Sequence, residues 1–84
     1  MQTRQDLFEW LDENQQRFTN MADAIWEKPE VAWEEFFASQ LQADFLNDEG
    51  FTVWSIADMP TSFVAEWGEG GPIIGFLGEY DALP

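Results

Sequence analysis

The sequence predicts an α/β protein: two N-terminal helices packed on a three-stranded portion of a larger mixed sheet. Three observations predict it. Two stretches within residues 4–49 carry apolar residues at helical spacing and are separated at Pro29. Residues 51–56 and 62–67 then turn β-branched and aromatic. Finally, an uninterrupted apolar run from Ile73 to Leu77, opened by Gly70-Gly71-Pro72, has the character of a strand covered on both faces.

The first helix is expected over Arg4–Glu27. Thr3 followed by Asp6 supplies an N-cap with an acid in the first turn, and Leu7, Leu11, Phe18, Met21, Ala22 and Ile25 recur on one stripe. Phe8, Trp10 and Trp26 widen that stripe, which places the helix against a sheet or a second helix. Pro29 ends it, because the residue before a proline is pushed out of the helical region and proline has no N–H to continue the ladder. A second helix is expected over residues 33–49, with Glu34 and Glu35 in its first turn, Phe37, Leu41, Phe45 and Leu46 inward, and Gly50 as its left-handed terminator. Trp33 and Phe36, at helical spacing, read as core or helix-contact residues and not as an aromatic ligand platform.

Residues 51–56 form the first expected strand, 57–61 with Pro60 a loop, and 62–67 a second strand with Phe63, Ala65 and Trp67 on one face. Gly68-Glu-Gly-Gly71 is expected to turn a tight antiparallel hairpin into Ile73–Leu77. These glycines lie between two strands, with no helix N-terminus and no lysine following, which argues against a phosphate cradle.

The balance of 3 basic against 17 acidic side chains gives a net charge of −14 over 84 residues. Such a surface repels nucleic-acid phosphates and anionic lipid, so neither is an expected partner. No apolar run approaches the ~20 residues of a membrane span and no leader pattern opens the chain, so a cytoplasmic location is the default expectation. Thirteen Phe and Trp among 45% hydrophobic residues exclude a disordered acidic tail. A chain of this length buries only a little over ~60% of its unfolded surface, and it has no cysteine to add a disulfide. It also lacks histidine, so the usual zinc donor sets cannot be assembled from these residues alone.

Glu79, Tyr80 and Asp81 stand where Ile73–Leu77 would leave the sheet, the position at which open α/β sheets gather ligands. In an extended chain Glu79 and Asp81 share a face roughly 6.6 Å apart while Tyr80 points away. Acids in that place can hold a metal, orient a metal ligand, or cap a following helix.

Four stretches taken together resemble the N-terminal part of the zinc-dependent amidohydrolases of the aminoacylase and carboxypeptidase metallopeptidase superfamily, in particular the branch containing aminobenzoyl-glutamate hydrolase. They are Lys28-Pro-Glu-Val-Ala-Trp-Glu-Glu35 with Ser39 and Leu46, Glu49-Gly-Phe51, Met59-Pro-Thr-Ser-Phe63, and Ile74-Gly-Phe-Leu-Gly-Glu-Tyr-Asp-Ala-Leu-Pro84. They stand in family order, and the last is the specific one. The resemblance implies the N-terminal part of a catalytic domain of phosphorylase/hydrolase-like fold, residues 1–84 being an incomplete portion with no second domain. It implies cleavage of amide bonds in N-acyl amino acids or short peptides by a metal-activated water, with a divalent metal, zinc or manganese, as cofactor.

By the same resemblance Asp81 is the catalytic-site residue, matching a family aspartate that helps orient the metal shell. Glu79 occupies the position where many members have a metal-ligand histidine, and it is not assigned as a ligand. The family's other site residues fall beyond Pro84, so the segment alone is expected to be inactive, to bind no metal tightly, and to self-associate or expose apolar surface. A homo-oligomer is compatible with the family. Two other readings stand beside this one: a self-standing acidic protein-interaction module, and a subunit piece that completes a site with another chain.

Overall fold

The computed structural model describes residues 3–84 and contains two helices and a two-stranded antiparallel sheet, in the order α1, Arg4–Glu27; α2, Phe36–Asp48; β1, Thr52–Ile56; and β2, Met59–Glu66. The α/β class is as expected. α1 has the expected bounds, and its start is a complete capping box: the Thr3 hydroxyl accepts from the Asp6 N–H, and the Asp6 carboxylate accepts from the Thr3 N–H, each at 3.1 Å. At its other end Lys28 has left the helical region ahead of Pro29.

α2 begins three residues later than the sequence suggests. Trp33 has a φ of 73°, in a turn closed by the Glu34 N–H bonding to the Val31 carbonyl at 3.0 Å, so the helix cannot start before that turn is complete. The end of α2 follows the expectation. Gly50, at a φ of 100°, donates to the Asn47 carbonyl at 3.1 Å, and Phe51 donates to that of Leu46 at 3.0 Å, the paired bonds of a Schellman motif.

The two helices meet through aromatic contacts. Phe18 of α1 lies between Trp10, with ring centroids 5.8 Å apart, and Phe45 of α2, at 5.5 Å. The Arg17 guanidinium sits 4.9 Å from the Phe45 ring centre and pairs with Glu49 at the end of α2. α2 in turn packs on the hairpin, more on β2 than on β1. Trp33 and Phe36, expected as core or helix-contact residues, lie on the surface; Trp33 sits at positive φ in the turn ahead of α2, and Phe36 is the exposed first residue of that helix.

Ile56 pairs with Met59 across the turn, and Ser55 pairs with Phe63, so β2 carries Pro60, Thr61 and Ser62 unopposed between those pairs. The expected loop at 57–61 is therefore a tight turn followed by a bulged strand. Proline fits there because a bulge does not require its missing N–H. The bulge also turns Thr61 inward, to 3% exposure.

The expected third strand does not form. Ile73–Leu77 runs extended without pairing among the described residues, and Ile73 and Phe76 are 92% and 96% exposed. The Gly68–Gly71 hairpin into that strand is likewise absent, with Gly68 and Gly70 at positive φ carrying the chain away from β2. A segment apolar on both faces needs cover on both, and the helices here cover only one side of a two-stranded hairpin. The surface area shows the same shortfall. It is 7230 Å², against about 5,100 Å² for a self-contained protein of this mass. The radius of gyration is 14.6 Å, where about 12 Å is usual for this length. Ala38 is the buried apolar residue among those described. No helix among the described residues is long and apolar enough to cross a membrane.

Gly50 offers a direct test of the α2 terminus. A Cβ added there would meet nothing within 4 Å, so Gly50→Ala should lose about 1 kcal/mol through backbone conformation alone, measured as a lower denaturant midpoint at unchanged m-value.

Candidate functional site

The connector between the helices builds the site. Glu35, at the N-cap of α2, makes no capping bond with its side chain. Glu30 caps the helix from a distance instead: its carboxylate accepts from the Phe37 N–H at 2.9 Å and from the Ala38 N–H at 2.8 Å. Those amides belong to the first turn, whose N–H groups have no partner within the helix and favour negative charge. Burial pushes the Glu30 carboxyl up, but the two amide bonds and the Lys28 ammonium outweigh it, and the net position is below the ordinary glutamate value.

The main chain of Glu30 has a second partner. Its carbonyl accepts from the Ala82 N–H at 2.7 Å, and Val31 and Ala82 form an isolated parallel β-bridge. Tyr80, two residues earlier, turns toward β2: its ring lies 6.4 Å from that of Phe63, and its hydroxyl donates to the Thr61 carbonyl. The Thr61 hydroxyl donates to the Glu35 carboxylate at 3.2 Å. Burial, and then the negative charge of Glu35, raise the Tyr80 phenol above its ordinary value, which keeps it a donor.

Between these ties lies a cleft of ≈ 580 Å³ whose walls include Trp26, Lys28, Glu30, Tyr80 and Asp81. Asp81 thus stands on a concave surface. Glu79 is exposed and is not among the cleft residues. Sequence reasoning missed Glu30 and Thr61. Glu30 follows a proline in a short connector and leaves no local capping pattern, and Thr61 is brought in by a bulge that only pairing reveals. Among the described residues no three potential metal ligands cluster, and with neither Cys nor His present the cleft residues do not form a donor set for zinc.

The cleft thus joins an acid that follows an extended apolar segment to a helix start capped by a carboxylate. The chain is homologous to amidohydrolases of the aminoacylase and carboxypeptidase metallopeptidase superfamily, in the aminobenzoyl-glutamate hydrolase branch. It is 40% identical to one of the subunits of the p-aminobenzoyl-glutamate hydrolase of Escherichia coli (strain K12) over 94% of its length, corresponding to 18% of that protein. It is 36% identical to Xaa-Arg dipeptidase of Homo sapiens and 37% identical to that of Mus musculus, in each case over 90% of this chain and 21% and 20% of the relative. The chain therefore spans about a fifth of the length of the curated relatives it matches. No family model matches it, and no solved structure does.

Two titrations check these ties. Because the folded Glu30 value lies below the unfolded one, its stabilisation of α2 is complete above the ordinary value of 4.5 and is lost as the pH falls through the depressed folded value. Wild type should accordingly be more stable than Glu30→Gln at neutral pH, with the difference in denaturation midpoint closing in acid. Tyr80 is the single tyrosine, so ultraviolet titration of tyrosinate reads it alone. Its folded value should lie above 10.0, so its contribution persists below that pH and disappears as the pH rises through the folded value. Tyr80→Phe, which retains the ring, should cost about 1 kcal/mol.

Proposed function

We propose that residues 1–84 are the N-terminal part of the catalytic α/β domain of a metal-dependent amidohydrolase that cleaves amide bonds of N-acyl amino acids or short peptides, with Asp81 as this segment's contribution to the site. The observation that carries the reading is the 40% identity, over nearly the whole chain, to a protein named as part of an aminobenzoyl-glutamate hydrolase. The names of the other relatives specify a dipeptide, and an acyl-glutamate and a dipeptide share an amide bond next to an amino acid.

The exposed Ile73–Leu77 segment supports the same reading. It has the composition of an inner strand, it leads directly to Asp81, and it lacks the neighbours that such a strand requires. In a larger mixed sheet it would be the third strand, and the excess surface would be covered by the rest of the domain. The zinc or manganese that the resemblance implies would be held by residues outside this segment, consistent with the absence here of Cys and His. The alternative, an acidic interaction module, draws on the exposed Trp26, at 81%, and Trp67, but it leaves the match to hydrolase sequences without a cause.

The test is an assay of the complete protein carrying this segment. With zinc or manganese it should hydrolyse p-aminobenzoyl-glutamate, other N-acyl amino acids or dipeptides, and a chelator should abolish the activity. Asp81→Asn should lower kcat/KM by roughly 10–100-fold, the usual cost of losing a group that orients a metal shell. The 84-residue segment alone should show no turnover. Absence of metal-dependent hydrolysis, or full activity in Asp81→Asn, would overturn the proposal.

A further inference from the structure

We infer that Glu30 is a positioning residue for Asp81. The inference rests on the proposed role of Asp81 and assigns Glu30 a task beyond helix capping.

Glu30 is held at both ends. Its carboxylate is fixed by two amides of the α2 start, at 2.9 and 2.8 Å, and its carbonyl holds the Ala82 N–H at 2.7 Å. The residue bonded to Glu30 is therefore the immediate neighbour of Asp81. The surroundings of that bond are loose. Ile73, Ile74, Phe76, Leu77 and Leu83 on either side are largely exposed, so residues 80–82 are the anchored part of an otherwise unsupported segment. One anchor is the Tyr80 bond to Thr61; the other is Glu30. A carbonyl in a connector can fix the direction of Asp81 only if the connector is itself fixed, and the side-chain clamp on α2 does that. α2 is the more rigid body, since it packs on the hairpin at one face and ends in a Schellman motif. The position of α2 is thus transmitted through one residue to the Asp81 backbone.

Mere helix capping predicts something different. Loss of a cap frays α2 and weakens everything that depends on α2 alike, whereas loss of the clamp releases residues 80–82 in particular. Gln40 makes the two separable. It lies exposed on α2, bonds only within the helix to Asp44, and touches neither Glu30 nor Ala82. Gln40→Gly therefore weakens α2 without touching the clamp.

In the complete protein, hydrogen exchange at the Ala82 amide, which bonds to the Glu30 carbonyl, is compared in wild type, Glu30→Ala, Glu30→Gln and Gln40→Gly. Glu30→Ala should accelerate exchange there by roughly tenfold or more, while Gln40→Gly, which leaves the clamp bonds in place, accelerates it clearly less. Glu30→Gln keeps one acceptor oxygen for the two amides and should fall between. Unchanged exchange in Glu30→Ala, or equal acceleration in Gln40→Gly, would overturn the inference. With hydrolysis as a second readout, Glu30→Ala should lower kcat and leave KM near wild type, and a matching kcat loss in Gln40→Gly would also overturn it. A protein without hydrolase activity that still shows the exchange pattern would defeat the proposed function and sustain the link between Glu30 and residues 80–82.

Discussion

The Glu30 carboxylate on the first turn of α2 is the constraint from which the rest of the structure follows. A helix start leaves amides without partners, and here the residue at the N-cap does not serve them, because the Glu35 side chain is engaged by Thr61. Glu30 reaches in from the connector, and that reach fixes the path of residues 28–35 against α2. The connector in turn offers its main chain to Ala82 and seats Asp81 on the cleft. In a chain of 17 acids, most of them solvated, two do structural work within one small region, and both act by accepting hydrogen bonds from groups that would otherwise lack partners.

Features set by neighbours in sequence were legible from the sequence. The Thr3–Asp6 capping box, the stop before Pro29 and the left-handed Gly50 all depend on groups within a turn or so of one another, and the structure has each where the pattern places it. Features set by distant partners were not. Trp33 at positive φ contradicts its own preference, and only the requirement that Glu30 curl beneath α2 gives that turn a reason. Pro60 reads as a loop residue until its strand is seen to be bulged. Asp81 draws attention because it follows an apolar run, and the structure sets it on the cleft wall. Glu30 draws none, since nothing in Pro29-Glu30-Val31 records that its partners are Phe37, Ala38 and Ala82.

The few basic groups are placed with economy. Arg17 bridges the helices by covering Phe45 and pairing with Glu49, and Lys28 lies 4.9 Å from the Phe37 ring centre at the cleft wall. Lys28 is thus the positive group beside the Glu30 carboxylate at the cleft. Its charge favours the ionised form of Glu30, adding to the two amide bonds that hold the clamp on α2.

The apolar ribbon at Ile73–Leu77 bears on how the molecule reaches its working state. Its side chains have no resting place on the helices or the hairpin, so nothing in these elements gives it a fixed shape, and burying it and ordering it would be a single event. Left uncovered, such a ribbon is the kind of sticky strand that holdase chaperones retain and that drives chains into inclusion bodies. Phe76 and Leu77, among the most exposed of its residues, therefore bear on how much soluble protein accumulates.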